Sequence, residues 1–173
     1  MASPSAADTL RPLDDQDLRR WRACARRHWL HRQGSGAAPP PGESIREAEA
    51  ALRSAFPGAL NLAAPRDEAD WPRVLAETRA ALLACQAGDA AGDTVLGACL
   101  MSDDGARARV DVMQRGEHGW RLFKLRVGTV ADEADVDALA FWAHVAARAG
   151  WRLQSAGLLL IDSDFLYPGL GCY

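Results

Sequence analysis

Thr94-Val-Leu-Gly-Ala-Cys-Leu-Met101, Arg107-Ala-Arg-Val-Asp-Val-Met-Gln114 and Trp120-Arg-Leu-Phe-Lys-Leu-Arg-Val127 decide how this chain folds. The first segment is mostly apolar. The second alternates Arg109, Asp111 and Met113 with Val110 and Val112, and the third alternates Trp120, Leu122, Lys124 and Arg126 with Arg121, Phe123, Leu125 and Val127. Alternation at period two is the signature of strands. Ser102–Gly105 and Arg115–Gly119 supply the Gly, Asp and Ser that short turns favour. Three consecutive strands are predicted, with Asp111 on one face of the second and Lys124 and Arg126 together on one face of the third.

Outward from this core, helical spacing takes over. Asp14–Gln33 reads as one helix, with Leu18, Trp21, Ala25 and His28/Trp29 as its apolar stripe and Asp14, Asp15 and Asp17 at its positive end. Arg19, Arg22 and Arg26 form the opposite, basic face. Gln33–Gly42 is rich in Gly and Pro and reads as a linker, and residues 1–12 as a loose tail. A second helix spans about Ser44–Phe56. A third starts near Asp70, with Pro72 in its first turn and Val74, Leu75, Thr78, Ala81 and Leu82 inward. After the strands, Asp132–Arg148 is a helix with an acidic start, an expected stripe of Val136, Leu139, Ala140 and Ala143, and Gly150 as its stop. Ala156–Ile161 is short and unbroken in apolar character, as in a strand buried on both faces. The predicted fold is an α/β domain over residues 13–173, a mixed β-sheet flanked by helices in the order α-α-α-βββ-α-β.

At 173 residues the chain can bury a core, and its 49% hydrophobic and 25% charged content is that of an ordinary globular domain. No apolar run is long enough to span a bilayer and no leader pattern opens the chain, so no membrane partner and a cytoplasmic location are expected. Residues 1–34 carry seven Arg and four Asp, a balance of +3, which leaves −6 of the total −3 for the remainder. A basic end on an acidic body suits an anionic partner, and equally suits a solvated helix face. Lys124 is the single Lys among 20 cations.

The order of elements, with an acid on the second strand and a polar pair on the third, resembles the PD-(D/E)XK nuclease superfamily. It is most similar to the RecB-type branch and, within it, to an uncharacterised bacterial Cas4-like family. Cys24, Arg26, Arg27, Trp29 and Leu30 in the first helix, Phe56-Pro57-Gly58, Arg109-Val-Asp111-Val, Gly119-Trp-Arg-Leu, Gly150 and Tyr167-Pro168-Gly169 carry the likeness. It implies a restriction-endonuclease-like core, Asp111 as a metal-binding acid, and DNA or RNA as partner. The departures are at the same site. The resemblance places an acid at Gly97, a Glu at Lys124, a Lys at Arg126 and a Gln at Trp142.

Nucleases of this type need several carboxylates around Mg²⁺ to activate water. With Asp111 alone retained, and two cations beside it, the expectation is a catalytically degenerate domain without cofactor. Asp111 would pair with Lys124 or Arg126, the cation standing in for the metal. Nucleic acid would be held by Arg19, Arg22, Arg26, Arg126 and an exposed Trp142 able to stack on a base. A structural ion pair on a half-exposed sheet, a pure protein-binding scaffold, and an active Mg²⁺ nuclease with ligands relocated to Asp103, Asp104 or Asp132 are the competing readings. Oligomeric state is not legible.

Cys24, His28 and His31 have a spacing that suggests a metal site, yet they lack a fourth ligand, so a buried Cys and boundary His are expected. Cys24 and Cys172 are too few thiolates for an iron–sulfur cluster. Asp162 and Asp164 read as turn residues.

Overall fold

The computed structural model describes residues 12–33, 43–88 and 92–160. Nearly all of the predicted tail and of the linker, and Asp162, Asp164, Tyr167-Pro168-Gly169 and Cys172 lie outside those residues. The chain forms an α/β fold with helices α1 (Asp15–Ala23), α2 (Ala25–Gln33), α3 (Glu43–Ala55), α4 (Trp71–Ala87) and α5 (Glu133–Arg148). The strands are β1 (Leu60–Asn61), β2 (Thr94–Met101), β3 (Arg107–Arg115), β4 (Trp120–Leu125) and β5 (Leu153–Leu159). They make one mixed sheet in the order β1-β2-β3-β4-β5. β2, β3 and β4 pair antiparallel, while β1 and β5 join the two sides in parallel, the β4–β5 connection running through α5. The three predicted strands are present within two residues of their expected ends, and β1 is added.

One face of the sheet carries the larger core. Val95, Ala98, Val110, Met113, Trp120 and Leu122 pack there against Leu82 and Cys85 of α4 and Trp142 and Val145 of α5. Thr78 ties α4 to the sheet by accepting the Cys99 N–H on its hydroxyl at 3.0 Å. The other face is covered by α3, where Leu52 and Phe56 meet Leu96, Val112 and Phe123.

These two clusters reveal an irregularity. Leu96 pairs with Val112 and Ala98 with Val110. In a regular strand residues two apart share a face, yet the first pair faces α3 and the second faces α4 and α5. The alternation therefore changes phase at Gly97 in β2 and Asp111 in β3. Gly97 makes this possible because its φ is +71°, and because a Cβ there would lie 2.9 Å from the Leu62 carbonyl oxygen. Only glycine meets both conditions comfortably.

Four expectations are corrected. The first predicted helix breaks at Cys24, whose φ of −169° and ψ of 110° are extended. On a continuous helix Asp17 and Arg32 would be about 22 Å apart at about 1.5 Å per residue, but their side chains lie 3.2 Å from each other. The chain doubles back, and Trp21 and Trp29 become exposed rather than forming a buried stripe. In α5 the inward stripe is Asp135, Ala138, Trp142, Val145 and Ala146, with Val136 and Ala140 outside. The Asp132/Asp135 capping box fixes the start of this helix and draws Asp135 in. β5 is the edge strand and only partly buried, because nothing pairs with its outer side among the described residues. Cys24 is exposed, while Cys85 and Cys99 are buried.

Candidate functional site

Asp111 sits where the phase change opens β3 from β4. Regular pairing of these strands ends at Val112 and Phe123, and beyond it the Leu125 N–H donates to Asp111 Oδ2 at 2.7 Å. The side chain thus takes the place of a ladder carbonyl. Its surroundings form a cleft between α3 and the sheet, lined by Glu49, Arg53, Asn61, Gly97, Arg109 and Leu125 among others. Burial pushes the Asp111 carboxyl up to about 6, against the opposing pull of the Leu125 N–H, Lys124 and Arg109, and with a further push from Asp15.

Lys124 and Arg126 face the opposite way, toward α5. Lys124 Nζ donates to Asp135 Oδ1 at 3.3 Å, and Arg126 Nη1 lies 3.1 Å from Asp135 Oδ2 and 3.2 Å from Asp132 Oδ2. Arg19 of α1 approaches the same carboxylate at 3.8 Å. Asp135 is fully buried and Lys124 is 9% exposed. Burial would raise the Asp135 carboxyl, but the Asp132 N–H, Lys124 and Arg126 together hold it below the usual carboxylate range. One acid therefore gathers three cations, two from the end of β4 and one from α1. The pairing expected between Asp111 and Lys124 or Arg126 is not made, because Asp135, offered by the first turn of α5, is closer and buried.

Trp142, expected to be exposed, is buried. It is 4% exposed on the inward stripe of α5, its Nε1 is buried without a partner, and Lys124 Nζ lies 5.8 Å from its ring centroid. Arg22 is engaged with Asp137 at 2.7 Å, which ties α1 to α5. Arg26 is exposed on α2. Of the expected nucleic-acid contacts, Arg19 and Arg126 serve the Asp135 centre, and Arg22 and Arg26 remain on the surface.

The expected relocated ligands do not converge on Asp111. Asp103 pairs with Arg148 at 2.8 Å in the β2–β3 turn, Asp104 accepts from the Ser102 hydroxyl in the same turn, and Asp132 caps α5. His28 lies 3.7 Å from Asp17, so it does not join Cys24 in a metal site. Among the described residues no three His, Cys, Asp or Glu side chains are grouped to hold a metal ion. Glu49 and Asn61 line the same cleft as Asp111, but Glu49 is paired with Arg109 at 3.4 Å and Gly97 brings no side chain, so the donor set is poor in free carboxylates for Mg²⁺, which prefers several oxygen ligands.

Sequence reasoning missed Asp135 and Asp15. Asp135 falls at helical spacing with Ala138, Trp142 and Val145, a stripe hidden when only apolar residues are counted. Asp15 is pushed up by burial and by Asp14, while Arg19 and Lys124 pull it down, which places it at the edge of the same charged centre. No helix among the described residues is long and apolar enough to cross a membrane. No protein-family model, no curated protein and no solved structure matches the chain.

Proposed function

We propose that this chain is a non-cleaving domain of the PD-(D/E)XK nuclease type, most similar to the RecB-type branch, that retains binding to nucleic acid. The observation that carries the reading is the Lys124–Asp135–Arg126 centre. On the strand where the resemblance expects a metal-binding Glu and a catalytic Lys, two cations are instead neutralised by a buried carboxylate of the next helix. The three antiparallel strands, the crossover helix and the parallel strand after it support the same ancestry. Asp111 persists because it bonds the Leu125 N–H, a structural task that survives loss of catalysis. Phosphate attraction needs surface cations and no metal, so binding can outlast cutting.

The test is incubation with single- and double-stranded DNA in Mg²⁺ or Mn²⁺, beside retention on immobilised DNA at increasing salt. No cleavage is expected, with retention that falls steeply as salt rises. Metal-dependent cutting abolished by Asp111→Ala would overturn the reading. A second reading, a protein-binding scaffold, is favoured by Trp21, Trp29 and Leu30, each more than half exposed on α1 and α2. It predicts no salt-sensitive retention at all.

A further inference from the structure

The α1–α2 corner holds a second cationic site, which shares Arg19 with the Asp135 centre. On an unbroken helix Arg19, Ala23, Arg27 and His31, each four residues from the next, would run as one convex stripe. The break at Cys24 and the return of α2 fold that stripe into a concave surface. The result is a cleft of about 400 Å³ lined by Arg19, Arg20, Ala23, Arg27 and His31, with no carboxylate in its walls. Ala23 leaves the floor open, and the four side chains around it are all hydrogen-bond donors able to carry positive charge.

Two of the neighbouring acids are turned inward. Asp17, which lies 3.5 Å from Arg20, is 1% exposed, and Asp135, which lies 3.8 Å from Arg19, is fully buried. Arg19 Nε is buried with no hydrogen-bond partner. Arg27 and His31 make no ion pair among the described residues. Trp29 lies two residues from both Arg27 and His31, so it leaves from the other side of α2 and does not line the cleft. The cationic ends of these side chains therefore rim a cleft whose wall is largely their own apolar stems and Ala23, and no Trp, Tyr or Phe lines it.

We infer that this cleft is a phosphate-binding site, taking either the backbone of a nucleic-acid strand or a free phosphorylated small molecule. Fork-shaped guanidinium groups match phosphate oxygens in pairs, and three of them around one concavity suit a group bearing more than one negative charge. The site does not depend on nuclease ancestry.

Calorimetry with pyrophosphate and anisotropy with a labelled single-stranded 20-mer would test it on the full chain. The double variant Arg27→Ala/His31→Ala is compared with Arg79→Ala, which removes one exposed cation from α4. Pyrophosphate should bind the wild type and the Arg79 variant alike, and the double variant about tenfold or more weakly. Since Arg27 and His31 hold no ion pair among the described residues, its melting temperature should not change. Oligonucleotide displaced by pyrophosphate identifies a nucleic-acid backbone as the source; pyrophosphate binding without oligonucleotide binding identifies a free phosphorylated ligand. Equal pyrophosphate affinity in the double variant, or none in the wild type, overturns the site. Salt-sensitive oligonucleotide binding that ignores both the double variant and pyrophosphate also overturns it, while leaving the nucleic-acid reading of the domain intact.

Discussion

The Asp135 centre and the α1–α2 cleft are built from the same materials with opposite outcomes. Each collects arginines, and Arg19 contributes to both. In the centre, Lys124 and Arg126 surround a carboxylate with no exposed surface, so their charge is spent inside the protein. In the cleft, Arg27 and His31 form no ion pair among the described residues and open to a cavity. Burial relative to the nearest carboxylate, not the count of cations, separates a structural charge from one able to meet a ligand.

The largest effect should come from the centre. Removing one partner of a buried pair leaves the other desolvated and unpaired, at about 3–5 kcal/mol. Asp135→Ala is therefore expected to lose stability on that scale in urea unfolding, with Lys124 left between Trp142 and the sheet. A loss under about 1 kcal/mol would show that the centre is no more than a surface contact.

Asp111 sharpens the comparison through pH. Its carboxyl rises from 3.8 to about 6 in the folded chain, so ionisation opposes folding. Its contribution is fully present below pH 4 and is lost as pH rises through about 6, by up to about 3 kcal/mol at about 1.4 kcal/mol per unit. Asp111→Asn keeps an acceptor for Leu125 and cannot ionise. The stability difference between the variant and the wild type should grow in the variant's favour between pH 4 and 7; a flat difference would contradict the burial of Asp111.

A smaller loss, about 2 kcal/mol, is expected for Gly97→Ala, from positive φ and from contact with the Leu62 carbonyl. Thermal unfolding would register it. Smallest is Arg22→Ala. Its pair with Asp137 is short but more than half exposed on the arginine side, so the change should stay below about 1 kcal/mol.

The sheet was legible because alternation, turn residues and strand length agree over Thr94–Val127. α3 was also legible within a residue of both ends, and α4 within a residue of its start. The break at Cys24 was not, because no Gly or Pro marks it. It is held by distant side chains, Asp17 meeting His28 and Arg32. The site was half legible. Asp111 and Lys124 lie on adjoining strands as read from the alternation, with Arg126 just past the end of the second, but which acid each cation meets depends on the phase change at Gly97 and on the rotation of α5. Both are tertiary effects. Trp142 went wrong for the same reason: a stripe one residue out of phase turned a buried ring outward.

The central claim is that Lys124 and Asp135 hold the fold as a pair. A double-mutant cycle on Lys124→Met and Asp135→Asn, read by urea unfolding, tests it most directly. The double variant should be less destabilised than the sum of the singles, with a coupling of at least about 1 kcal/mol. Additive losses would show that the two charges act independently and that the centre is not the structural pair described.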